Sequence, residues 1–256
     1  VGDLQKLDAS RRIGIVGSRK ATTVGRTTAR TLGRALAGRN VVVVSGLAYG
    51  IDIESHRGVL ESVNPRQALA VIPSGLDKVY PRGHFREARE IAAAGGLLIS
   101  ELPPGTRPLK HTFLERNRII AALSETLIVV EARARSGALS TARQALELGQ
   151  DIYCVPGGIE RAEHYGTNQL LADGAGVLFD IEQFVGSKTE KPQMRKTSPQ
   201  LEPLVRALES SSPLADESLS KELRLSLGET RALIQEAELS GVVSVNLDGS
   251  VRLAIA

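Results

Sequence analysis

Tryptophan is absent, cysteine and methionine occur once each, and aromatic residues make up only 3% of the 256 positions. A single thiol excludes a disulfide within the chain. Cys154 lies in the run Asp151-Ile152-Tyr153-Cys154-Val155, where a small buried thiol is expected rather than a nucleophile. No apolar run approaches the roughly eighteen residues of a membrane span, and no signal-peptide pattern opens the chain. A cytoplasmic location without membrane contact is therefore the expectation. The missing initiator Met fits a fragment or processed product, with an N-terminal segment outside the sequence. His56, His84, His111 and His164 lack metal-ligand spacing, and no Gly-x-Ser-x-Gly elbow is present. The dinucleotide fingerprint and the P-loop are missing too. Neither hydrolytic machinery nor a cofactor is expected.

Against this scarcity of rings, the stretch Lys110-His111-Thr112-Phe113-Leu114-Glu115-Arg116-Asn117-Arg118 stands out. It sets three permanent cations and an imidazole around one Phe, with Arg107 just upstream. Bound single strands need that combination, cations to neutralise phosphates and a flat face to stack a base. Thr112 is expected to cap the helix, with Phe113 in its first turn and Arg116 and Asn117 on roughly the same face. The same spacing fits a Phe buried against a sheet beside solvated Arg116 and Arg118.

Charge is uneven along the chain. Residues 199–256 hold five Lys and Arg against nine Asp and Glu, whereas residues 1–198 hold twenty-seven against twenty. An anionic polymer should prefer the first part.

Short β-branched runs at 13–16, 41–45, 68–72, 97–100, 126–130 and 152–155 alternate with helical patterns at 23–37, 50–60, 84–94, 112–123 and 138–148. The runs are continuously apolar, as in strands covered on both faces, so an α/β fold with a mostly parallel, Rossmann-like sheet is expected over residues 1–185. Residues 186–200 have linker composition. Three helical stretches, 201–209, 216–223 and 227–239, precede a hairpin with Asp248-Gly249 as its turn, which predicts a small winged-helix module over 201–256.

In such a sheet ligands bind beyond the carboxyl ends of the strands. There the sequence places Gly17-Ser18-Arg19, Ser45-Gly46-Leu47-Ala48-Tyr49-Gly50-Ile51-Asp52, a turn-rich loop from Pro73 to Pro81, Arg133-Ala134-Arg135-Ser136-Gly137 and Pro156-Gly157-Gly158 followed by Gly166-Thr167-Asn168. Gly17-Ser18-Arg19 fits phosphate binding or an ordinary tight turn, and Asp52 fits a helix cap or a hydroxyl contact. Ser136-Gly137 opens a helix whose free N–H groups suit a phosphate. Five such loops on one edge predict a long basic groove.

Gly17-Ser18-Arg19, Ser45 to Asp52, Phe113-Leu114-Glu115-Arg116-Asn117-Arg118-Ile119-Ile120, Ser136-Gly137-Ala138-Leu139-Ser140-Thr141-Ala142 and Pro156-Gly157-Gly158 together resemble the DprA/Smf DNA-processing family over residues 12–180. The resemblance implies an extended Rossmann fold that forms a homodimer and binds single-stranded DNA. It also implies a mediator that loads RecA recombinase during natural transformation without a catalysed reaction. The family's DNA pocket uses an Arg, a Lys and an aromatic that fall here on Arg19, Lys110 and Phe113. Candidate single-strand contacts are then Gly17, Ser18, Arg19, Ser45, Gly46, Lys110, Phe113, Arg116, Asn117, Arg118, Ser136, Gly137 and Asn168. The presumed recognition stretch of the C-terminal module, 228–239, carries one Arg against three Glu, which disfavours duplex binding.

Two rival classes are a Rossmann-like nucleotide phosphoribohydrolase and a winged-helix duplex-DNA regulator. The first needs a carboxylate soon after Gly-Thr, where this sequence has Asn168-Gln169. The second is weakened by the acidic module.

Overall fold

A computed structural model describes residues 1–8, 11–189, 201–210, 214–239, 243–245 and 250–253. The chain divides into two compact units, Val1–Thr189 and Glu190–Ala256.

In the first unit seven strands, β1 (Arg12–Val16), β2 (Val42–Ser45), β3 (Ala68–Val71), β4 (Leu97–Ile99), β5 (Thr126–Val129), β6 (Asp151–Cys154) and β7 (Gly176–Val177), form one sheet in the order β4-β3-β2-β1-β5-β6-β7. Every pairing between them is parallel. Helices α1 (Thr23–Gly38), α2 (Ile51–Leu60), α3 (Phe85–Ala93), α4 (Thr112–Leu123), α5 (Gly137–Glu147), α6 (Tyr165–Ala172) and α7 (Ile181–Thr189) connect and flank the strands.

Alternation along each strand feeds two cores. Ile13, Ile15, Val43 and Ala70 pack with Leu32 and Leu36 of α1, Ile53 of α2 and Ile91 of α3. Val16, Val42, Val44, Leu69 and Val129 pack on the other face with Ile120 of α4 and Ala142 of α5. Burying a side chain such as Leu32 or Leu36 contributes about 2–3 kcal/mol. Cys154 is wholly buried in the second core, and burial pushes its thiol up to about 12, so it is no nucleophile at neutral pH.

The expected strands and helices of residues 12–155 are all present, with every end within one residue of its expected place. Beyond them the structure adds α6, β7 and α7, which the sequence pattern does not predict. Helix α7 also runs to Thr189, into the segment expected as linker from residue 186. A lone Gly186 costs a helix only about 1 kcal/mol, and the first proline, Pro192, comes later. The rest of the expected linker lies outside the described residues.

The second unit has helices α8 (Glu202–Ser210), α9 (Asp216–Leu223) and α10 (Leu227–Leu239), then the antiparallel pair β8 (Val243–Val245) and β9 (Val251–Leu253). Leu214 bridges Val251. This is the element order expected of the module, although its Asp248-Gly249 turn lies outside the described residues. Leu204, Leu208, Leu219, Ile234, Val243 and Val251 form its core. Ser226 and Glu229 exchange hydrogen bonds at the start of α10, the Ser226 N–H donating to Glu229 at 2.9 Å and the Glu229 N–H to Ser226 Oγ at 3.3 Å. That reciprocal cap satisfies two otherwise free donors.

Candidate nucleic-acid interface

A cleft of about 470 Å³ opens beyond the carboxyl ends of β1, β2 and β5, between the first turn of α4 and the start of α5. From β1 the sheet grows through β2 in one direction and through β5 in the other. The cleft therefore stands at the switch point where open α/β sheets bind ligands.

Arg19, on the turn after β1, lays its guanidinium over the Phe113 ring, 4.4 Å from the centroid. The ring also meets Tyr80 edge to face, with centroids 5.6 Å apart and planes at 77°. A planar cation and an aromatic face so placed match what a nucleotide presents, a phosphate and a flat base. Lys20, Lys110 and Arg135 line the same cleft and are exposed. Among the described residues none of these three has an ion-pair partner. Arg133 lines it too but pairs with Glu163.

The N-terminus of α5 closes the cleft. Ser136 is its N-cap, in extended backbone, with its hydroxyl accepting from the Ala138 N–H at 3.3 Å. A Cβ on Gly137 would meet nothing within 4 Å, so the N–H groups there are approachable. The N-terminus of α1 is different. Glu131 is fully buried against it, accepting from the Thr22 N–H at 2.9 Å and from the Thr22 hydroxyl. That carboxylate already supplies the negative charge a helix N-terminus favours, whereas the first turn of α5 holds no acidic residue.

Asp52 is the carboxylate of the cleft wall. Burial pushes its pKa up, while Arg116, Arg19 and the backbone at Ala48 and Gly46 pull it back.

Of the thirteen candidate contacts, Gly17, Ser18, Arg19, Lys110, Phe113, Arg116, Asn117, Ser136 and Gly137 line the cleft. Ser18 serves mainly to fix the turn. Its N–H donates to Glu131 O at 2.8 Å, and its hydroxyl accepts from the Lys20 N–H at 3.2 Å. Arg116 is 4% exposed and donates to the carbonyls of Gly46 and Val71 at the ends of β2 and β3. Burial lowers its pKa to about 10, and the Asp52 charge opposes that fall.

Ser45, Gly46, Arg118 and Asn168 do not line the cleft, and each has an internal duty. Ser45 is fully buried and its hydroxyl donates to Ile15 O at 2.6 Å. A side chain on Gly46 would collide with Asp52 and Arg116. Arg118 pairs with Glu101 on the surface. Asn168 donates to Gly157 O at 3.0 Å and accepts from Gly157 N–H at 3.2 Å, bracing the Pro156-Gly157-Gly158 turn. Thr112 is not the cap of α4 either. It is buried in the helix's first turn, with its hydroxyl 2.9 Å from Pro73 O and 2.8 Å from Leu109 O.

Lys20, Asp52 and Arg135 are wall residues that were not among the candidate contacts. Arg135 could have been found from its place just before Ser136-Gly137, since a helix start and a nearby cation serve the same anion. The loops also divide where one continuous groove was expected. Those after β1, β2 and β5 line the cleft, whereas Asp77, Lys78, Val79, Tyr80 and Arg82 of the loop after β3 line a separate depression.

Residues 1–188 match the family model of DNA recombination-mediator protein A. The chain belongs to this family. A DprA relative from Mycobacterium tuberculosis is 44% identical over 181 residues, covering 70% of this chain and 46% of its own length. This DprA-family chain thus spans about half the length of the relatives it matches. Among solved structures, DNA processing protein A from Helicobacter pylori, described for its single-stranded DNA binding mode, superposes with a TM-score of 0.67 at 34% identity, covering 73% of this chain and 84% of that one. DprA from Streptococcus pneumoniae gives 0.66 at 34% identity, covering 73% of this chain and 64% of its own. The residues that match the family model are those of the first unit, which carries the cleft.

Proposed function

We propose that the first unit binds single-stranded DNA in this cleft, with Phe113 stacking a base while Arg19, Lys110, Lys20 and Arg135 hold phosphates. The observation that carries this reading is the Arg19–Phe113 stack in one cleft with Lys110 and the N-terminus of α5. The DprA family membership and the single-strand binding described for the Helicobacter relative support it.

On the same reading the whole protein protects single strands and helps load RecA recombinase during natural transformation, catalysing no reaction itself. It acts in the cytoplasm as a homodimer through its Rossmann-like unit. No helix among the described residues is long and apolar enough to cross a membrane. No group of three or more His, Cys, Asp or Glu among them could hold a metal.

The phosphoribohydrolase rival is disfavoured by the carboxylate available. Asp52, the carboxylate of the cleft wall, is buried beside Arg116, and Gly166-Thr167 enters α6 with the Thr167 hydroxyl donating to His164 O at 3.0 Å. For the second unit, contact with a protein is the better reading. Helix α10 exposes Glu229, Glu236 and Glu238, and its Arg231 is paired with Asp216 at 2.8 Å. A helix so charged repels duplex phosphates.

The test compares a labelled oligothymidylate with a duplex of equal length, beside a nucleoside-monophosphate cleavage assay. Preference for the single strand without cleavage is expected. Cleavage, or tighter binding to duplex, would sink the reading. RecA ATPase on a single strand, with and without the protein, then checks the loading role.

A further inference from the structure

We propose that a bound single strand leaves the cleft over the Tyr80–Phe113 contact and enters a second stacking station built from Tyr80 and Phe85. The inference rests on the single-strand reading of the first cleft.

A depression of about 730 Å³ lies on the far side of Tyr80, lined by that ring, Phe85, Lys78, Arg82 and Arg107 among others. Tyr80 is 40% and Phe85 52% exposed. In a chain with so few aromatics, two open rings in one basic hollow are not core residues. Among the described residues Lys78, Arg82 and Arg107 have no ion-pair partner. The one carboxylate on the lining, Asp77, accepts from the Gly105 N–H at 2.7 Å. Together with Gly75 N–H donating to Thr106 O at 3.0 Å, that bond ties the loop after β3 to the loop after β4. The hollow is thus a held surface with unpaired positive charge.

Continuity with the cleft comes from Tyr80 itself, which lines the hollow and touches Phe113 edge to face. Because the ring planes stand at 77°, bases stacked on the two rings cannot be parallel. The strand bends between the stations, with Lys110 on one side of the bend and Arg107 on the other. Rings to stack bases and cations to neutralise the turning backbone are what a single strand requires there.

The test measures affinity for oligothymidylates of increasing length, for the wild-type full chain, Phe113→Ala, and the double variant Phe85→Ala with Arg107→Gln. The double variant's loss should grow with length, reaching about 5- to 150-fold on strands long enough to fill both stations. No loss at any length, or an equal loss at every length, overturns the second station. An unaffected Phe113→Ala variant instead overturns the first-cleft reading. Photo-crosslinking of the wild-type protein with 5-iodouracil strands gives an independent check. Adducts on Phe85 or Tyr80 are expected, and adducts confined to Phe113 contradict the extended path.

Discussion

The guanidinium of Arg116 lies 2.6 Å from the carbonyl oxygen of Gly46 and also donates to Val71, so one buried cation joins the ends of β2 and β3 to α4. It is the middle cation of the conspicuous basic string, and it acts chiefly as a strut. Its neighbour three residues back, Phe113, faces the cleft that the strut holds open.

Replacing Arg116 with Met should cost about 3–5 kcal/mol, because two carbonyls and the Asp52 charge lose a buried partner. Urea denaturation reads that loss directly. Where the variant is still folded, the slope of log affinity against log salt should stay that of wild type. A slope smaller by about 0.7 would make Arg116 a phosphate contact after all.

Lys110 and Arg135 should behave in the opposite way. Each changed to Gln should leave the denaturation midpoint within experimental error and reduce the salt slope by about 0.7, the share of one phosphate on a single strand. Salt titration of oligonucleotide affinity measures both. An unchanged slope removes that residue from the interface.

Asn168 belongs to the fold on this account. Asn168→Asp would turn a carboxylate oxygen toward the Gly157 carbonyl in place of the amide donor, and should cost about 1–3 kcal/mol. Thermal unfolding shows it as a lowered Tm. A variant with normal Tm but weakened single-strand binding would return Asn168 to the interface.

His56 supplies a pH dependence. It is fully buried, and burial, with Arg116 and His84 adding positive charge nearby, lowers its imidazole to about 4. The folded state therefore holds His56 neutral where the unfolded chain would protonate it. Its contribution is complete above an unfolded value near 6.5 and is lost as pH falls from there toward 4. The gap corresponds to on the order of 3 kcal/mol. Denaturation at pH 7 and pH 4.5 should show that extra fall in the wild type and less of it in His56→Leu.

Legibility in the sequence followed the physics of each element. Strands such as 126–130 and 68–72 are unbroken apolar runs because both faces are covered, and they were read nearly to the residue. Strand β7 is only Gly176 and Val177, too short to show any period. Helix α6 opens on Tyr165-Gly166-Thr167-Asn168, residues typical of turns, with Leu170 and Leu171 as its main apolar marks. In the site, Arg19, Lys110 and Phe113 stand out in the sequence because a cation or ring at a loop edge has few internal uses, and all three line the cleft. The internal hydrogen bonds of Arg116 and Asn168 are not legible, because polar side chains that satisfy distant carbonyls look the same in sequence as those that await a ligand. The partners that distinguish them, Val71 and Gly157, lie 45 and 11 residues away along the chain.

The most direct measurement is the dissociation constant of a fluorescent oligothymidylate for wild type and for Phe113→Ala at one fixed salt concentration, with folding checked by circular dichroism. Base stacking on this ring predicts a loss of about 1–3 kcal/mol for the variant, and near-recovery in Phe113→Trp. A folded Phe113→Ala protein that binds within twofold of wild type would contradict the assignment of this cleft to single-stranded DNA.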